Sequence, residues 1–460
     1  MFLDYKKIIL FAGLTGLFAC GKYLDRPTPD QAIGKGQITA GDIPLLLNGA
    51  YKSLPGTWPP QSYPMMDIYS DDIISVQGGN PAQFNPQAYE ACNPLPSDGF
   101  GIGRNYSAAY TAIGNANLII SFIRSHPSPS LNQAMGEALT IRANGYLVLV
   151  EMHGGVVITL ENETDIDKIR KPKSTEQEVY DAIINDLTAA IPLLNDFSTP
   201  EAASKQAAEQ LLARVYLQRG KYKEAGDLAI KVIGAGNRTL SQGTFSNIFR
   251  FNSPTQEMIW YMAEGPLTSA YDRYGLFSLY SPGAPFRGNG TGFTWMDDNL
   301  ADAYEATDTR RQVVRKQMNN AIGREVNYLL KYSTDTLQAA GNAFAIYPLL
   351  RISEAYLIAA EAAARQGSVD LTYFNALRKA RNASVKTNTD FPTPAAFLKG
   401  IEQERRLELV GEGRRWQDMR RFNTALGFLQ SKGRDKTRLY FPFTTTELLR
   451  NNKLVQNEGY

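Results

Sequence analysis

The chain has 460 residues, with 48 Lys plus Arg against 46 Asp plus Glu, a formal balance of +2. Near-neutrality argues against a nucleic-acid partner, which asks for a basic face, and against electrostatic adhesion to a membrane. Two cysteines and two histidines are too few for a His/Cys metal centre, and their spacings match no zinc pattern, so neither metal nor cofactor is expected.

At the N-terminus "MFLDYKK" supplies a basic start and residues 8–19 a short apolar run. A transmembrane helix needs roughly 20 apolar residues, so this run has the layout of a secretory signal instead. Leu17-Phe18-Ala19-Cys20 resembles the bacterial lipobox, in which the cysteine is acylated and becomes the new N-terminus. Residues 1–19 are therefore expected to be a lipoprotein signal peptide, Cys20 the lipidation site, and the Gly-, Pro- and polar-rich 20–37 a tether. Two or more acyl chains, at about 0.8 kcal/mol per buried methylene, moor a protein to a membrane without spanning it. With Cys20 acylated, Cys92 has no disulfide partner, and the fold must hold by packing.

Residues 38–460 are expected to form one mainly α domain, a scaffold of helix pairs carrying long irregular insertions at about 54–104 and 239–345. Leu139, Ala143, Tyr146, Leu147 and Val150 mark one buried face of a helix that stops at Gly154-Gly155. Ser174 with Gln177 is a capping-box pattern ahead of Val179, Ile183, Leu187 and Ile191. Residues 207–236 form two helical runs broken at Gly220, with small Ala213, Ala225 and Ala229 letting antiparallel helices approach closely, similar to a tetratricopeptide unit. A further hairpin is expected over 351–367 and 371–384. The insertions are rich in Gly, Pro, Asn and aromatics, and function is expected on them.

Residues 401–422, "IEQERRLELVGEGRRWQDMRRF", are the most charge-dense stretch. Spacing of i, i+4 sets Glu402 beside Arg406 and Arg414 beside Asp418, in a helix followed by an Arg-rich turn. These charges are expected to lock neighbouring elements together, with Trp416 a core anchor between them. No G-x-S-x-G, Walker loop or H-E-x-x-H occurs, and "HGG" at 153–155 lacks the elbow that a lipase oxyanion loop would accompany.

The run "YPLLRISEAYLIAAEAAARQG", then "ALRKARNAS" and "FLKGIEQERRLELVGEGRRWQDMRRFN", with a terminal "NNKLVQNEGY", resembles the C-terminal signature of the SusD/RagB family. "CGKYLDRPTP", "YTAIGNANLIISFI", "EALTIRANGYLVLVEMHGG" and "FSNIFRFNSPTQEMIWYM" agree in order; "GGVVITL" departs from the family's shorter, Pro-containing turn. The resemblance implies a SusD-like fold with tetratricopeptide-like helix pairs facing a partner, and a non-enzymatic role. Such proteins are outer-membrane nutrient-binding lipoproteins at the cell surface, which capture oligosaccharides, or peptides in some members, for a SusC-like TonB-dependent transporter. Signature positions such as Arg351, Glu354, Glu404, Arg405, Glu408, Glu412, Arg414, Arg415 and Trp416 then mark the fold and not the ligand.

Ligand residues follow from chemistry: sugar C–H faces lie on flat rings, and hydroxyls need polar edges. In the insertions, Trp295 and Tyr280 are the first candidates, flanking the Gly-rich 285–293, where a ring is expected to stay exposed; Phe286, Arg287, Asn289, Trp58 and Tyr63 follow. Phe84, Tyr89, Phe100, Asn85, Asp297 and Asp298 share that chemistry. Two other classes remain open at this point. A glycan-cleaving enzyme needs two carboxylates about 5–10 Å apart, and no pair stands out; an interaction scaffold would bind no small ligand at all.

Overall fold

The computed structural model describes residues 38–54, 62–75, 85–99, 101–163, 165–249, 256–263, 280, 294–320, 322–332 and 346–460. Residues 1–45 and residues 46–460 belong to two compact units. Of the first unit, the described part is 38–45, with a 3-10 turn at Ala40–Asp42 leading into a helix. Among the described residues the helices of nine residues or more are α1 (Ile43–Lys52), α2 (Ile102–Ser125), α3 (Asn132–His153), α4 (Glu176–Ala190), α5 (Lys205–Gln218), α6 (Tyr222–Gly234), α7 (Ile352–Arg365), α8 (Thr372–Ala380) and α9 (Pro394–Leu409). From α2 to α8 each helix packs on the next, and α7 also packs on α5 and α9.

Local chemistry places the helix ends close to where the pattern predicts them. α3 stops at Gly154, whose φ of 71° is a conformation that a side chain resists. Gly220, with φ 72°, turns α5 back into α6. The cap of α4 differs from expectation by one residue: Thr175, not Ser174, accepts from the Glu178 N–H, and Glu178 reaches back to the Thr175 N–H at 2.7 Å. Either box satisfies two orphan donors, and Glu178 supplies a charged acceptor where Gln177 would supply a neutral amide.

Helix α3 departs further from expectation. A single buried stripe was the pattern's reading, yet every residue from Gly136 to His153 is buried. Its charged members all have partners. Arg142 donates to Asp186 on α4 at 2.8 and 2.6 Å, to Asn117 on α2 at 2.7 Å and to the Leu160 carbonyl at 2.8 Å, so one guanidinium ties three helices. Glu137 accepts from Tyr51 at 2.5 Å, and Glu151 takes Arg414 at 3.3 Å. At Gly145 an added Cβ would sit 2.9 Å from Ile113, which is why α2 and α3 lie so close.

The insertions are not wholly irregular. β1 (Ile73–Ser75), β3 (Thr294–Met296), β5 (Arg324–Leu329) and β4 (Val314–Asn319) form an antiparallel sheet in the order β1-β3-β5-β4. A second ladder pairs β2 (Met258–Ala263) with β6 (Ile346–Arg351), and β6 runs directly into α7. Strands of three residues carry no detectable period in sequence; the β4–β5 hairpin, turned at Gly323 with φ 67°, offered the one local signal.

Candidate ligand-binding site

β1 comes from the first insertion and β3 from the second, and their register is Ile73 to Met296, Ile74 to Trp295 and Ser75 to Thr294. The pair therefore joins the two stretches expected to carry the ligand. Because the strands are antiparallel, the chain after Ser75 and the chain before Thr294 attach at register partners. Phe84 lies on the first of these segments, and Phe286, Arg287 and Asn289 on the second; all four lie outside the described residues, as do Trp58 and Phe100. Tyr63 belongs to the short helix Ser62–Ile68, with its side chain outside the described residues.

The two first candidates are placed, and neither ring is exposed. Trp295 is 1% exposed, packed on Val326, Tyr328 and Leu330 with Ile74 and Ile322 beside them. The Arg324 guanidinium lies 5.7 Å from its ring centre, and its Nε1–H is buried with no acceptor among the described residues. Tyr280 is also 1% exposed; its ring sits 6.0 Å from Tyr332, and its hydroxyl donates to Asp67 Oδ2 at 3.1 Å. The expected open ring at these positions is thus corrected: β3 turns Trp295 toward β5, whose apolar face covers it. Burial pushes the Asp67 carboxyl well above the usual carboxylate range, against the pull of the Gly413 N–H at 2.9 Å. Asp67 has no local signal in the sequence, since its partners are brought to it by the fold.

The remaining polar and aromatic candidates are engaged in structure. Tyr89 is buried and donates to Asp98. Asn85 caps the short helix Pro86–Glu90 and Asp297 caps Asp298–Asp302, while Asp298 accepts from Asn327 at 2.8 Å.

A buried ion network fixes the second insertion to the helices. Glu408 on α9 accepts from Arg351 at 2.9 Å, Arg381 at 2.7 Å and Arg310 at 3.2 Å. Arg351 also reaches Glu257 at 3.0 Å and Glu412 at 2.6 Å, and Lys331 bonds Glu412 at 2.6 Å. Arg310 closes the set on Asp308 at 2.7 Å and Glu404 at 2.7 Å. Glu257, Asp308, Arg310 and Lys331 come from the second insertion, and the others from the α7–α9 region.

The charges of 401–422 do lock elements together, though with other partners than their spacing suggests. Arg406 bonds Asp72 at 2.8 Å, Glu402 takes Arg415 at 2.8 Å, and Asp418 takes Arg405 at 2.7 Å and Arg421 at 2.8 Å. Trp416 is buried and meets Tyr69 edge-on at 4.8 Å, a core anchor as expected. Burial raises the Glu354 carboxyl, but Arg214, Arg405 and Arg414 outweigh it and hold it at about 2; Arg405 and Arg421 do the same for Asp418. Both folded values lie below the usual 4.5 and 3.8, so the stability these groups contribute is complete above pH 4.5 and is lost as pH falls toward 2. We expect Glu354 alone to account for on the order of 3 kcal/mol of acid destabilisation. Urea midpoints measured from pH 6 to 2.5 should show a shallower acid limb in Glu354→Gln than in the unaltered protein.

Among the described cysteines and histidines, Cys92 and His153 are buried. Burial pushes the Cys92 thiol up to about 12 and brings His153 down to about 4, where its ring stacks on Phe443 at 5.0 Å. Among the described residues no group of three His, Cys, Asp or Glu could hold a metal ion, and no helix is long and apolar enough to cross a membrane.

Comparison with known proteins bears on this arrangement. A family profile described as "Starch-binding associating with outer membrane" matches residues 65–217, and one described as "SusD family" matches residues 314–437. A SusD-like protein of Bacteroides ovatus is 24% identical over 68% of this chain and 64% of its own length, slightly under two thirds. SusD-like protein P38 of Formosa agariphila is 24% identical over 98% of both chains. Among solved structures, a SusD superfamily protein of Bacteroides thetaiotaomicron aligns with a TM-score of 0.79 at 22% identity, over 91% of this chain and all of that one. A laminarin-binding SusD-like protein aligns at 0.78 and 21% identity, over 92% of this chain and all of its own. The first profile spans α2 to α5 and the second runs from β4 through the Arg-rich C-terminal helices; the chain belongs to the SusD/RagB family.

Proposed function

We propose that this chain is a lipid-anchored outer-membrane protein that captures oligosaccharides at the cell surface and hands them unaltered to a partner SusC-like TonB-dependent transporter. The supporting observation is the pair of family blocks, in order, on a fold shared with a laminarin-binding protein over 92% of this chain. Cys20 is the anchor in this reading, residues 1–19 the removed signal, 20–37 the tether and 38–460 the receptor. The glycan is gripped by the segments that leave the sheet after Ser75 and before Thr294, where Phe286, Arg287 and Asn289 supply a ring and polar edges.

Isothermal titration of the chain with laminarin and starch oligosaccharides, followed by chromatography of the recovered sugar, tests the capture step. Saturable binding with the oligosaccharide returned intact is the expected result. Released reducing ends would turn the reading to an enzyme, and binding of peptides with none of saccharides would turn it to the peptide-binding class. In detergent phase partition the unaltered protein should enter the detergent phase and Cys20→Ala the aqueous phase; equal partition of the two would remove the anchor.

A further inference from the structure

The N-terminus of α4, the C-terminus of α5 and the short helices Arg415–Arg421 and Ala425–Ser431 enclose a cleft of about 420 Å³ lined by none of the candidate ligand residues. That volume falls within the range of small-ligand sites, roughly 300–1,000 Å³. Its cations differ in how they are compensated. Arg421 is committed to Glu361 at 2.8 Å and Asp418 at 2.8 Å, and Arg219 stands 3.6 Å from Glu176. Arg420 has no carboxylate partner among the described residues. Its guanidinium lies 4.7 Å from the Tyr440 ring centre, and its buried Nη1 has no hydrogen-bond acceptor among the described residues. A buried N–H of a charged group without an acceptor is costly, and the group that would offset it is an anion entering the cleft.

The rest of the lining indicates what carries that anion. Gln218 lines the cleft and accepts from Arg421 through its Oε1 at 3.1 Å, a bond that does not use its amide donors, and exposed Asn423 lines the cleft with it. Glu176 accepts from the Tyr440 hydroxyl at 2.5 Å and keeps acceptor capacity for a further hydroxyl. Planar amides, a carboxylate and a phenol round one unmatched guanidinium suit a compact body with several hydroxyls and one carboxylate. We propose that the cleft is a second saccharide subsite, specific for a uronate residue, with Arg420 as the group that binds its carboxylate. An acidic protein segment would supply the charge but not the hydroxyls that the amides and Glu176 can pair. The saccharide class extends the reading given above, but the site shares no residue with the sheet-edge segments.

Titration of the full chain with trigalacturonate, its methyl ester and a hexaglutamate peptide tests the assignment. The free acid should bind, the uncharged ester about 10–100-fold more weakly, and Arg420→Gln should reduce acid binding by the same factor, the worth of a charge-assisted hydrogen bond. Binding of the acid should also weaken as NaCl is raised. Equal binding of acid and ester, unchanged affinity in Arg420→Gln, or preference for the peptide would each overturn the proposal. If Arg420→Gln does not fold, the acid-to-ester ratio of the unaltered protein decides alone. Neutral laminarin oligosaccharides serve as the separating control: their binding without uronate binding rejects this cleft and leaves the capture role standing, and the reverse rejects the sheet-edge site.

Discussion

Replacing Glu408 with Ala is expected to destabilise the protein by about 3–5 kcal/mol, the cost of breaking a buried ion pair from one side. Glu408 is fully buried and accepts from Arg351, Arg381 and Arg310 at 2.9, 2.7 and 3.2 Å. Burial alone would raise its carboxyl, yet Arg381, Arg351 and Arg310 hold it well below the usual range, so the charged form is the one the fold stabilises. Without it, guanidinium N–H groups from three separate elements face each other with too few acceptors. The second insertion, which supplies Arg310, then loses one of its fastenings to α9 and keeps the Arg310–Glu404 pair. Glu408→Gln should lose nearly as much, because an amide presents donors to donors. The fall should appear as a lower urea midpoint with unchanged slope; a loss below about 1 kcal/mol would mean the neighbouring carboxylates Glu412 and Glu404 can take over.

Trp295→Ala is expected to cost about 3–5 kcal/mol, the range for removing a large buried aromatic. The ring is 1% exposed on a floor of Val326, Tyr328 and Leu330, and its removal would leave a cavity beside β5. Its position next to a Gly-rich segment points instead to an exposed ring whose loss would abolish binding at little cost in stability. Urea denaturation and glycan titration of the same variant separate the two. A variant with native stability and no glycan binding would restore Trp295 as a contact; an unstable one that still binds while folded makes it the floor of the site.

What the sequence made legible was what short-range periodicity encodes. The helix ends at Gly154 and the break at Gly220 could be read directly, because left-handed backbone favours glycine and no distant residue is needed to see it. The core placement of Trp416 was legible for a similar reason, a single large apolar residue set among charges. Distant pairing was not. Arg406 has Glu402 one turn away but bonds Asp72, 334 positions earlier in the chain. β1 and β3 are three residues each and define one another only once paired, so neither carries a pattern of its own. The exposure of Trp295 failed for the same cause: which face of a three-residue strand is covered depends on β5, far along the chain. Arg142 and Asp67 show the limit for buried polar groups, since nothing near them announces their partners.

In the proposed function the glycan is held by the segments joined at the β1–β3 edge, and one variant tests that directly. Residues 284–291 replaced in the full chain by a Gly/Ser linker remove Phe286, Arg287 and Asn289 while leaving Thr294 to pair with Ser75. Isothermal titration with the oligosaccharide that the unaltered protein binds should then show an affinity lower by at least about tenfold, with the urea midpoint unchanged. Full affinity in that variant would contradict the account and move the glycan elsewhere on the molecule.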